Sequence, residues 1–271
     1  MISVLSDMMS YTFIVRAMIV GGLVALCSAL LGVSLVLKRY SMIGDGLSHV
    51  AFAALTIAVA MNVAPLYIST PIVTVAAIIL LRLSENSKIK GDSAIALIST
   101  VSIAIGVVVT ALTKGMNTDV YSYMFGSILA MSESDVYMSI ALSVVVIILF
   151  VFFYNKIFAV TFDESFAKAT GTRADVYNMI IAVLTAITIV VGMRIMGTML
   201  ISSLIIFPAL ISMRNFKTFK SVIICSAIVS VVCFFLGIVL SYLYSIPTGA
   251  SIVLVNTVAL ILSYLIGELR N

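Results

Sequence analysis

The chain of 271 residues is 63% hydrophobic and only 10% charged, with a formal charge of +4 and a mean hydropathy of +1.28. A soluble globular chain is about half apolar and about a quarter charged, so this composition excludes a water-exposed surface and suits a bilayer. The positive balance does not indicate nucleic acid, because the Lys and Arg residues fall in short gaps between apolar runs and form no basic stripe with interleaved aromatics.

Runs of roughly 17–25 apolar residues predict nine membrane spans, at about 11–37, 44–62, 65–82, 93–113, 134–155, 177–195, 198–213, 219–244 and 248–267. The first run lacks a positive region before it and ends at Leu37-Lys38-Arg39, which reads as a span rather than a cleaved signal peptide. The second opens with the ionisable pair Asp45 and His49. Between the fourth and fifth spans, 114–133 is half apolar and too short to cross, so it is expected on the interface or re-entering among the helices. Arg194, Asp119, Glu133 and Asp135 read as rim charges in solvated loops.

The stretch 161–176 reads as a short helix outside the membrane. Thr161 and Asp163 are both placed to cap its start, and Gly171 to stop it. Phe162, Phe166 and Ala169 then form an apolar stripe at helical spacing, as a docking helix needs and a solvated loop does not. The 198–213 run is short and holds Pro208, read as a structural kink or a gating hinge. Cys27, Cys225 and Cys233 all lie inside apolar runs and read as packed small hydrophobes. The methionines are scattered and read as packing.

Charge orients the spans. With the N-terminus outside, the inner gaps hold Lys38, Arg39, Arg82, Lys88, Lys90, Lys156, Lys168, Arg173, Arg214, Lys217, Lys220 and Arg270, and the outer ones only Arg16, Lys114 and Arg194. Twelve of the fifteen basic residues therefore face the cytoplasm, as the positive-inside rule demands, and the C-terminus is inside.

The strongest site candidate is Gly44-Asp45-Gly46-Leu47-Ser48-His49, which contains the sole histidine of the chain. Four residues apart on a helix, Asp45 and His49 stand one above the other. Carboxylate oxygen and imidazole nitrogen are both ligands for zinc and similar divalent ions. Two ligands are too few for a closed site, but a two-fold dimer brings four to its axis, which suits an ion held only in passing. The competing reading makes Asp45 a helix cap and His49 a satisfied polar residue at a helix interface. Burying both groups in a membrane is costly, which weighs towards function. The sequence has no Gly-Lys-Ser/Thr phosphate loop and no hydrolase motif, so the chain supplies neither ATP hydrolysis nor catalysis of its own.

At these motifs the sequence resembles the metal-chelate (zinc, manganese and iron) permease family of ATP-binding-cassette importers, closest in look to bacterial zinc permeases. The stretch from Lys38 to His49 looks like the family's basic turn and its Asp-x-x-(Ser/Ala)-His signature. Residues 123–130 (Tyr-Met-Phe-Gly-Ser-Ile-Leu-Ala), 197–209 (from Gly-Thr-Met to Phe-Pro-Ala) and 246–254 (Ile-Pro-Thr-Gly-Ala-Ser-Ile-Val-Leu) resemble its outer-loop motif, late Gly-to-Pro-Ala segment and last outer turn. Many manganese-type relatives follow the histidine with Pro-Gly, where this chain has Val50-Ala51-Phe52-Ala53-Ala54, so the resemblance leans to zinc.

The resemblance implies an all-α polytopic bundle of eight to nine transmembrane helices, one permease domain over residues 1–271, in the cell membrane. It implies a transported divalent metal with no permanently bound cofactor, and Asp45 and His49 lining the ion path. It implies a cytoplasmic ATP-binding subunit docked on a coupling segment at 161–176 through Phe162, Asp163, Glu164, Phe166, Ala167 and Gly171. An extracytoplasmic metal-binding protein and a second permease copy complete the expected assembly. Manganese or iron is the alternative cargo, and a secondary transporter without an ATPase the alternative class.

Overall fold

The computed structural model describes residues 8–86, 91–113, 133–197 and 201–269, and these contain helices and no strand. In chain order the helices are α1 (Thr12–Leu37), α2 (Ile43–Ala60), α3 (Pro65–Asn86), α4 (Gly91–Leu112), α5 (Glu133–Phe152), α6 (Tyr154–Phe162), α7 (Glu164–Ala169), α8 (Ala174–Met196), α9 (Ile201–Asn215), α10 (Phe219–Tyr244) and α11 (Thr248–Leu269). Helices are what a bilayer permits, since each backbone N–H and C=O then pairs within its own segment.

Among the described residues, eight of these helices are long and apolar enough to cross a membrane, and α9 is a shorter apolar helix. Its fifteen residues reach about 22 Å, short of the roughly 30 Å hydrocarbon layer. Pro208 lies buried inside it, and the helix is continuous across the proline.

The bundle is built around α1, which packs against α5, α8, α9 and α10. In its most apolar stretch 72% of residues are buried, against 17% in α4, so α1 is an inner helix and α4 an outer one. Small residues permit this. A Cβ on Gly32 would stand 2.1 Å from the Ile205 carbonyl oxygen of α9, an impossible approach. Where lipid gives no hydrophobic reason for helices to associate, such close backbone packing and interhelical hydrogen bonds do the work. Ser230 of α10 accordingly donates to the Ala25 carbonyl of α1 at 2.8 Å. Cys27 and Cys233 are buried in this interior as free thiols, and Cys225 is partly buried.

Three expectations change. The fifth span ends at Phe152 rather than near 155, and Phe153 (φ −92°, ψ 8°) separates it from α6. Within 161–176 the cap is Asp163 rather than Thr161, so Phe162 falls outside the short helix and the expected apolar stripe is broken. Asp163, extended at φ −147° and ψ 94°, ends α6 at Phe162, and its carboxylate accepts the Phe166 N–H at 2.8 Å to start the six-residue α7. Asp favours a cap for this reason, and it splits Phe162 from Phe166. Ala167 is therefore the buried residue of α7, while Ala169 is exposed. Finally, Glu133 and Asp135 lie in the first turn of α5 rather than in a loop. Glu133 pairs with Arg16, and Asp135 is buried.

Candidate functional site

The site begins at the elbow between α1 and α2. Leu37 is the last residue of α1, Lys38 its cap, and Arg39 adopts the left-handed conformation at φ 61°. The Tyr40 N–H then reaches the Leu35 carbonyl at 2.8 Å and the Arg39 N–H the Val36 carbonyl at 3.1 Å. This is a Schellman stop. Glycine usually occupies the left-handed position, since an L side chain costs roughly 1–2 kcal/mol there, and an arginine fills it here. The elbow is also bonded forward: the Ile43 N–H donates to Tyr40 O at 3.0 Å, so α2 starts at once.

Asp45 is the third residue of α2, and the cap residue Met42 makes no side-chain hydrogen bond. The reading of Asp45 as the cap of this helix is thereby set aside. Its neighbours Gly44 and Gly46 let two helices close on it from either side. A Cβ on Gly46 would come within 2.7 Å of Ile95 Cγ2 on α4, and one on Gly44 within 3.3 Å of Ile205 Cδ1 and 3.4 Å of Ser202 Oγ on α9. The first turn of α2, which carries the carboxylate, therefore packs closely between α4 and α9.

His49 stands one turn on, with Nε2 3.7 Å from Asp45 Oδ2. That is too far for a hydrogen bond. The Asp45 side chain is 42% exposed and that of His49 18%, on a helix otherwise almost wholly buried. The pair therefore offers lone pairs on an open face and does not consume them internally. Among the described residues no group of three or more His, Cys, Asp or Glu gathers in one place, so one chain supplies two ligands at this point and no closed site.

A second polar cluster lies at the same end of α1. Glu164, the first residue of α7, accepts at Oε2 from Lys38 Nζ at 3.3 Å and from Asn178 Nδ2 of α8 at 3.1 Å. Lys38 also donates to Asn178 Oδ1. On the other carboxylate oxygen sits Lys168 at 3.0 Å, which bridges to Asp175, also at 3.0 Å. Burial would raise the Glu164 pKa, but the hydrogen bonds from Asn178, Lys168 and Lys38 and the charge of Lys38 overcome it and hold the carboxyl at about 2, against its ordinary 4.5. The ion pairs with Asp175 and Glu164 raise Lys168 above its usual range. Of this cluster the sequence offers one sign, the four-residue spacing of Glu164 and Lys168.

The expected docking residues cluster where α6 meets α7. Phe162 and Phe166 are exposed, Asp163 caps α7 and Ala167 packs on Val160 and Ala174. Gly171 (φ 82°) ends the turn, with the Thr172 N–H on Ala167 O at 2.9 Å. Beside them Leu37, Phe162, Met213, Phe216 and Phe219 line a hollow of about 330 Å³. Asp119 and the motif at 123–130 lie outside the described residues.

A profile described as the ABC 3 transport family matches residues 10–267. The chain belongs to this family. Its sequence is 26% identical over 259 residues to the manganese transport system membrane protein MntC of Halalkalibacterium halodurans, covering 95% of this chain and 88% of that one. It is 28% identical over 249 residues to the high-affinity zinc uptake system membrane protein ZnuB of Haemophilus influenzae, covering 91% and 95%. Its fold matches the solved structure of PsaBC from Streptococcus pneumoniae in complex with Fab, with a TM-score of 0.87, 26% identity and coverage of 97% of this chain and 95% of that one. The permease resemblance drawn from the sequence motifs therefore holds: this ABC 3 member has the fold of an importer's membrane subunit and spans the membrane many times.

Proposed function

We propose that this chain is the permease subunit of an ATP-driven importer for a divalent metal ion, with zinc the first ion to test. The observation that carries the proposal is the Asp45–His49 pair, two metal-ligating groups held one turn apart on an open face and not hydrogen-bonded to each other. Relatives named for manganese and for zinc support the metal class. One oxygen and one nitrogen donor suit either ion, and the lean to zinc rests on residues 50–54 and on the 123–130 and 246–254 motifs.

In this reading a second permease copy supplies a second pair across a two-fold axis, and the four ligands hold the ion briefly between an outward-open and an inward-open state. Energy comes from a separate cytoplasmic ATPase docked on α7, with Phe162 and Phe166 offered to it, and an extracytoplasmic metal-binding protein delivers the ion. The basic end of the bundle, with Lys38, Lys168 and Arg173, faces the cytoplasm. The C-terminus lies on that side, and Pro208 gives α9 a place to flex.

The test is metal uptake by the complex reconstituted in vesicles, with zinc, manganese and iron in competition. His49→Ala is expected to abolish uptake while the ATPase still assembles on the permease. Unchanged uptake by that variant would remove the site assignment, and manganese outcompeting zinc would reassign the cargo.

A further inference from the structure

α7 is a poor lever taken by itself. It is six residues long, exposes Phe166 and buries only Ala167, against Val160 and Ala174 of the neighbouring helices. A push on such an element would be spent locally unless something stiff carried it to α2. The structure shows such a link. Lys38 and Asp45 are seven positions apart, and the intervening elbow is bonded to both of its helices. Lys38 Nζ in turn meets Glu164 at the start of α7 and Asn178 in the second turn of α8, while Asn178 closes the triangle on Glu164.

The geometry points to Lys38 as the positioning residue that transmits movement of α7 to the Asp45–His49 helix, with Glu164 and Asn178 as its seat. This rests on the importer reading above. The Lys38 side chain is only 9% exposed, and a charge so enclosed must offset a desolvation cost of several kcal/mol. A corner needed for stability alone is filled as well by apolar residues of similar volume, often better. What an apolar corner lacks is direction, since a two-donor, two-acceptor triangle has one register and resists sliding.

Lys38 stands five positions before the first residue of α2 and is bonded directly by a side chain of α7. When α7 tilts, Glu164 carries the ammonium with it, the Schellman elbow turns as a unit, and the first turn of α2 moves between α4 and α9. Asp45 then shifts relative to its counterpart across the proposed axis.

The experiment measures ions moved per ATP hydrolysed by the full complex in vesicles. Lys38→Met is expected to keep membrane level and basal ATP hydrolysis. The ratio should fall by about tenfold, the worth of one enclosed charged hydrogen bond, and metal should no longer stimulate hydrolysis. Lys38→Arg, which retains charge and donors, is expected to restore most of the ratio. An unchanged ratio in Lys38→Met overturns the proposal, as does a parallel fall of uptake and hydrolysis that leaves the ratio intact. If Lys38→Met does not assemble, Asn178→Leu reads the same quantity: a lowered ratio supports the joint, and an unchanged one overturns it. His49→Ala run alongside separates the two readings. Normal uptake by that variant removes the importer site, whereas its loss beside a normal Lys38→Met ratio removes only the joint.

Discussion

Two polar clusters share one end of α1 and α2, and they are bonded in opposite ways. At Asp45 and His49 the partners stand 3.7 Å apart and open to one side. At Glu164 both carboxylate oxygens are occupied, by Lys38 and Asn178 on one and Lys168 on the other. An internal partner competes with a ligand for the same lone pairs, so the under-bonded pair is the one free to take and release an ion under the proposed function. A group that must hold two helices in register gains from every bond. The contrast also separates mutational effects: the open pair should govern transport with little effect on stability, and the filled cluster should govern coupling and the stability of its corner.

The sharpest way to break this division is Asp45→Asn, which keeps the shape of the side chain and removes its charge. Loss of an orienting group beyond the ligand shell already costs about 10–100-fold in metal affinity, so loss of the ligand charge itself should lower the initial uptake rate by at least that much. The thermal midpoint in detergent should stay close to that of the unaltered chain. A large fall in the midpoint would make Asp45 structural.

Gly46→Val tests whether the open pair depends on the grip around it. The added Cβ meets Ile95 at 2.7 Å, and overpacking of this kind costs about 1–3 kcal/mol. Both uptake and thermal midpoint should fall, measured on the same purified sample, whereas Asp45→Asn moves only the first. Asp163→Ala is expected to be milder: loss of the cap should cost about 1 kcal/mol. It should show as a few-fold weaker hold on the ATPase in a pull-down, with no change in metal specificity.

The smallest effect is a pH dependence. Glu164 has its folded-state pKa lowered to about 2 from 4.5, so its contribution is present above about pH 4.5 and lost as pH falls towards 2. The gap in unfolding temperature between the unaltered chain and Glu164→Gln should therefore be steady at neutral pH and close on acidification through that window. A gap that widened on acidification would contradict the bonding described for Glu164.

Much of this was legible in the residues. Long apolar runs mark spans because a bilayer sets their length, and the Asp45–His49 spacing marks a shared helix face because 3.6 residues make a turn. Family motifs at 38–49, 197–209 and 246–254 pointed to the permease class. What stayed hidden depends on long-range approach. Nothing in the sequence brings Lys38 to Glu164 and Asn178, which are 126 and 140 positions away. Thr161 and Asp163 were both placed to cap the short helix, and only the fold, with Asp163 extended and accepting the Phe166 N–H, chose between them. Asp135 looked solvated because carboxylates at span ends usually are, yet the fold buries it.

The left-handed Arg39 carries a consequence for protein engineering. Backbone hydrogen bonds on either side of it tie residues 34–49 into one bonded piece, with Lys38 just before Arg39 and the Asp45–His49 pair after it. A chimaera that changes the ion preference of this permease should therefore not be cut within that piece. The donor's residues 34–49 and the stretch from Asp163 to Asn178 should be exchanged together, because a hybrid joined at Arg39 would set one parent's Asp45–His49 pair on the other parent's elbow.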